Sequence, residues 1–189
     1  MKSVVRTLAV AAAVVMVAAV TRPSAQAPAA QPSPAPAPSI QAELLKDLTN
    51  QKDQMSKIAD AMPEDKFGFK STPAQRSYGE QVLHIAGANV MLFKAFGAKG
   101  VAPTINQKAT AKAEILKALA DSYDYGIAAL KDQTDATMMQ AVQGPAFLGS
   151  SSRARIAYFV MNHAMDIYGQ MAVYLRLNGI VPPASRNSM

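Results

Sequence analysis

In four separate stretches of this 189-residue chain, apolar residues return every three, four or seven positions. That recurrence is the period of one helix face, and it limits the fold more tightly than anything else in the sequence. Ile40, Leu44, Leu48, Met55, Ile58 and Met62 form the first stripe, from a candidate N-cap at Ser39 to about Ala61, with Pro63 as the stop. Ser77 and Glu80 stand at the S-x-x-E spacing of a capping box, in which each side chain satisfies a backbone N–H of the first turn. They open a second helix through Tyr78, Val82, Ile85, Phe93 and Phe96, ended by Gly97 and Gly100. A third follows Pro103 and Asn106, with Ile115, Leu116, Leu119, Tyr123, Ile127 and Leu130 as its stripe. Gly144, Pro145 and Gly149 interrupt the chain before the fourth and most regular helix, 152–178. There Ile156, Val160, His163, Ile167, Gln170, Tyr174 and Leu177 share a face, and Gly179 with Pro182-Pro183 ends it. No stretch sustains the period-two alternation of a half-buried strand, and no internal repeat is visible. The pattern predicts an all-α four-helix bundle with a long connection, 97–107, between the second and third helices. Such a connection can cross the end of the bundle and let those two helices run parallel.

The N-terminal part reads differently. Lys2 and Arg6 precede an unbroken apolar run of thirteen residues, 8–20, followed by small residues at Ser24-Ala25-Gln26-Ala27. A membrane-spanning helix needs roughly 20 apolar residues, so the run is short for an anchor and suits a signal peptide over 1–27. The segment 28–38 carries Pro28, Pro32, Pro34, Pro36 and Pro38 among Ala, Ser and Gln, and reads as an extended spacer. The bundle then occupies 39–189. The expectation is an exported, periplasmic or extracellular protein with no stable membrane span once the signal is removed. Removal of Lys2, Arg6 and Arg22 leaves sixteen basic against thirteen acidic residues, a net charge of +3. These charges are scattered, with no basic cluster interleaved with aromatics, which argues against nucleic acid as a partner.

The absence of cysteine excludes a disulfide scaffold, a thiolate zinc site and a cysteine nucleophile. G-x-S-x-G, H-E-x-x-H and a phosphate-cradling glycine loop are also missing, and Ser150, Ser151 and Ser152 have no base near them in sequence. Asp121 and Asp124 share a helix face but read as solvated surface, and Met161, Met165 and Met171 read as gap-filling core. That leaves the two histidines, His84 and His163, each in mid-helix within an apolar stretch. A buried imidazole is stable when it is neutral and hydrogen-bonded, or when it ligates a metal, and periodicity leaves both options open.

The residues around them narrow the choice. Arg76-Ser77-Tyr78-Gly79-Glu80 leads into Val82-Leu83-His84-Ile85-Ala86. Asn162-His163-Ala164-Met165-Asp166-Ile167-Tyr168-Gly169-Gln170 is followed by Tyr174-Leu175-Arg176 and Gly179-Ile180-Val181-Pro182-Pro183. In this wording the chain resembles the DinB/YfiT-like superfamily over about 39–185. The resemblance implies a four-helix bundle, often dimeric, holding a divalent metal on three histidines. One of these comes from the second helix and two come from an H-x-x-x-H on the fourth. His84 matches the first position and His163 the second, but Ile167 stands at the third. Asp166, three residues beyond His163, is the one neighbouring oxygen donor that can turn inward.

The expectation from all this is an exported DinB-like bundle with a degenerate metal site, acting as a non-catalytic binding or scaffold protein. It would be a homodimer with an unidentified small ligand, and the face of His84, His163, Tyr168 and Gln170 would be pocket, dimer contact or core. The alternative is a divalent-metal-dependent hydrolase or transferase in which His84 and His163 hold Zn²⁺ or Ni²⁺.

Overall fold

The computed structural model describes residues 37–188. The expected signal peptide and almost all of the proline-rich spacer lie outside the described residues. Four long helices build the domain: α1 (Ile40–Asp60), α2 (Tyr78–Phe96), α3 (Lys112–Lys131) and, after a short α4 (Asp135–Met138), α5 (Arg153–Leu177). Their ends follow the capping residues. Ser39 accepts from the Ala42 N–H at the start of α1, and Ser152 from the Arg155 N–H at the start of α5. Ser77 and Glu80 complete both halves of the capping box at α2, and Gly97 closes that helix at φ 95°, a conformation that favours glycine.

Each long helix packs chiefly against two others: α3 and α5 both pack against α1 and against α2, so α1 and α2 lie diagonally across the core. The direction of each pair can be read from its contacts. Gln41 Nε2 donates to Leu130 O and Lys112 Nζ to Asp60 O, so α1 and α3 run antiparallel. Between α2 and α3 the residue numbers rise together: a Cβ on Gly79 would stand 3.1 Å from Ile115, Asn89 donates to Ser122 Oγ at 3.3 Å, and Gly126 backs onto Phe93. These two helices are therefore parallel, and the long connection between them spans the bundle, as its length allows.

The core is the set of stripes read from the sequence, with Leu48, Met55, Ile58, Val82, Ile85, Phe93, Phe96, Ile115, Leu119, Tyr123, Ile156, Val160 and Met171 nearly or completely buried. Two buried hydroxyls are satisfied by other helices: Tyr78 Oη donates to Ile58 O, and Tyr123 Oη to Gln51 Oε1 at 3.4 Å. Gln51 in turn donates to Met161 O at 2.9 Å, tying α1 to α5.

Some expectations need correction. Met165 is 45 % exposed and is not core, because at 100° per residue it points about 200° away from Ile167. Leu177 is 59 % exposed; at the last turn of α5 the core position passes to Leu175. Ile40 is also exposed, at the first residue of α1. The stretch holding Gly144, Pro145 and Gly149 is not a plain loop. Ala141–Gln143 (β1) and Ser150–Ser152 (β2) pair antiparallel, with Gly149 at φ 62° and the Gly144 N–H donating to Gly149 O. Three-residue strands are too short to show alternation, so the sequence carries no period for them. No described helix is long and apolar enough to cross a membrane.

Candidate functional site

Where α2 meets α5, the two histidines come together. His84 Nε2 and His163 Nε2 lie 3.0 Å apart, with ring centroids separated by 4.9 Å and planes at 71°. One turn before His163, Phe159 stacks on its ring at 8° and 6.4 Å. Three residues before His84, buried Gln81 donates through Nε2 to Gln170 Oε1 at 2.8 Å, and Gln170 Nε2 reaches Asp166 Oδ2 at 3.2 Å. The site is thus two imidazoles beside an amide pair, with a phenyl ring as one wall. Tyr168 packs half-buried against the core and has no hydrogen bond to either histidine.

The proton positions follow from this geometry. Two neutral imidazoles joined through their Nε2 atoms need one N–H and one lone pair between them. His163 Nδ1 is buried with no partner. A partnerless buried N–H is the costlier orphan, so His163 carries its proton on Nε2 and donates to His84 Nε2. His84 then carries its own proton on Nδ1. Both rings are held below the ordinary imidazole value of 6.5, first by burial; Arg76 adds to the effect at each, while Asp166 opposes it at His163.

A separation of 3.0 Å is close to the roughly 3.4 Å expected of two nitrogens on one tetrahedral zinc. The remaining donors do not fit such a centre. Ile167, one turn after His163, is 3 % exposed and belongs to the core. Asp166 lies at the surface and turns to Gln170, not to the histidines. Among the described residues no three His, Cys, Asp or Glu side chains gather as a metal would require. Metal ligation through His163 Nε2 would also move its proton to Nδ1, where nothing accepts it. Histidine ligands almost always donate that second N–H to an acceptor.

Sequence reasoning placed His84 and His163 together but missed Gln81, Phe159 and Arg76 as their surroundings. Gln81 and Phe159 had a readable signal, since they lie three and four residues from the histidines on the same helix faces. Asp121 and Asp124 are ion-paired with Lys117 and Lys52, each at 2.5 Å, in keeping with solvated surface. Ser151 sits in β2, donates to Leu148 O and accepts from Arg155, with no base beside it.

A helical bundle with parallel α2 and α3 and a histidine pair between α2 and α5 defines the structural class. The chain belongs to the DinB family, whose family model matches residues 36–187. Its fold is similar to that of a DinB-like protein from Bacillus cereus ATCC 10987, with a TM-score of 0.68 at 19% identity, covering 77% of this chain and 96% of that one. The DinB-like protein YjoA of Bacillus subtilis is similar over 72% of this chain and 92% of its own, with a TM-score of 0.58 at 15% identity. At these identities the likeness establishes the fold alone. No curated protein matches the chain.

Proposed function

We propose that this protein is an exported, non-catalytic member of the DinB family that keeps the bundle and has turned the family's metal position into a hydrogen-bonded histidine pair. The observation that carries the reading is the partnerless, buried Nδ1 of His163 next to a core-bound Ile167. Two imidazoles joined to each other, with no third donor and no acceptor behind His163 among the described residues, suit a rigid wall of a binding site better than an open catalytic metal. The apolar run and proline-rich segment ahead of the bundle support export. A second copy of the chain is the proposed partner. The outer face of α5 offers Tyr158, Met165, Val173 and Leu177, all 45–60 % exposed, in line with Gly169, where nothing stands within 4 Å of a Cβ.

The competing reading is a divalent-metal-dependent hydrolase or transferase, favoured by the 3.0 Å spacing of the two Nε2 atoms. Thermal unfolding of the purified protein with and without excess Zn²⁺ or Ni²⁺ separates the two. A site held at 100 times its dissociation constant adds about 2.7 kcal/mol, a rise in Tm of roughly 5–10 °C for a domain of this size. The degenerate-site reading expects no such rise. A rise that disappears in both His84→Ala and His163→Ala would overturn it in favour of the metal enzyme.

A further inference from the structure

A groove of about 390 Å³ opens beside His84, lined by Lys70, Arg76, Glu80, Leu83 and Gln107 among others. Its volume lies in the range of small-molecule sites, roughly 300–1,000 Å³. Arg76 is its most telling residue. The Arg76 backbone is anchored, because its carbonyl accepts from Tyr174 Oη at 2.7 Å, tying the start of α2 to α5. The guanidinium, by contrast, makes no hydrogen bond and has no carboxylate within 4.0 Å among the described residues. No Asp or Glu occurs in residues 1–36, so no acidic side chain there is left to pair with it. Arg153 and Arg155 are different, each spending its guanidinium on backbone carbonyls of nearby loops and helix ends.

The other polar side chains of the groove are Lys70, Gln75, Glu80, His84 and Gln107. Lys70 faces it, and the proton assignment above leaves His84 with an N–H on Nδ1. Gln107 donates one amide hydrogen to Leu83 O at 3.2 Å and keeps a second. Gly87 makes room for that amide, since a Cβ there would stand 2.7 Å from Gln107 Nε2. The single carboxylate, Glu80, already accepts from the Ser77 N–H at 2.6 Å and lies 3.5 Å from Lys70. With two cations against one acid that is already engaged, the groove carries a net positive charge and is complementary to negative charge.

We infer that this groove binds a small organic anion through a carboxylate or phosphate group, taken by the fork of Arg76 and the free N–H of His84. A planar guanidinium with no partner among the described residues is suited to two parallel hydrogen bonds to such an oxyanion. The inference rests on the reading of His84 as a hydrogen-bonding residue and not a metal ligand.

The test is isothermal titration calorimetry of the metal-stripped full chain, with succinate and inorganic phosphate as separate probes. Saturable binding of at least one probe is expected, and the probe preferred tells a carboxylate ligand from a phosphate one. Arg76→Gln should weaken that binding about tenfold to a hundredfold, the loss expected for charge-assisted hydrogen bonds. Lys131→Gln, the same change of charge at the far end of α3, should alter it less than about twofold, as for a screened surface charge. No saturable binding of either probe, or equal weakening by both variants, overturns the inference while leaving the metal-free reading intact. Binding that appears only after Zn²⁺ is added overturns both.

Discussion

His163 holds its Nε2 against His84 and keeps Nδ1 buried without a partner, while the next residue on its face, Ile167, sits in the core. Replacing Ile167 with His should therefore act in two opposite ways. Without metal it puts a polar ring into an apolar site and should lower stability by about 1–3 kcal/mol. With Zn²⁺ it supplies the third donor and should tighten binding by at least about tenfold, read as a metal-dependent rise in Tm that the parent lacks. Unchanged affinity would mean that positions 163 and 167 do not address one metal. Acid should also expose the pair. Both rings titrate below their ordinary 6.5, so the unfolded chain takes up protons that the folded chain resists. Their contribution is complete above that value and declines as pH falls through it toward the folded values. Urea midpoints measured from pH 7.5 down to 5 should fall, and the slope should flatten when both histidines are replaced by Gln. Glu80 acts in a separate, lower window: its carboxyl is held below 4.5, chiefly by the Ser77 N–H and secondarily by Lys70. Both histidines could be found in the sequence because the chain has only two. Their direct bond could not, because a residue's helix face does not say which nitrogen it presents or what lies behind the ring.

At the level of elements, the parallel packing of α2 on α3 depends on places where the helices come close. Gly126 is the tightest: a Cβ there would lie 2.1 Å from Phe93 Cε2, and Phe93 is fully buried. Ala in place of Gly ordinarily stabilises a helix by up to about 1 kcal/mol. Overpacking against a ring that has no free space costs roughly 1–3 kcal/mol, so the net effect of Gly126→Ala should be a loss. A lower denaturation midpoint is the expected result, and a higher one would show that Phe93 can move aside. The capping residues Ser39, Ser77 and Gly97 were legible because their action is local, on backbone groups within one turn. The hairpin of β1 and β2 was not, because its pairing joins residues whose own composition, Ala-Val-Gln and Ser-Ser-Ser, carries no strand pattern.

For the whole molecule, the outer face of α5 sets the expected assembly. Val173, 49 % exposed, and Met165 flank Gly169 on that face. Val173→Lys should leave the helix intact but place a charge in the proposed contact between copies, shifting light-scattering mass from dimer to monomer. A parent that is already a monomer at micromolar concentration would remove the proposal. The sequence by itself determined the number of long helices and most of their buried faces, because a helix is built from contacts within a few residues and its stripe records the core. It also determined that any histidine chemistry must use His84 and His163. The tertiary structure alone decided which helices are neighbours, that α2 and α3 run parallel, that Met165 and Leu177 face outward, and that Arg76 stands beside the histidines with no partner among the described residues. Those are relations between residues distant in the chain, settled by the mutual packing of all four helices, and no local period encodes them.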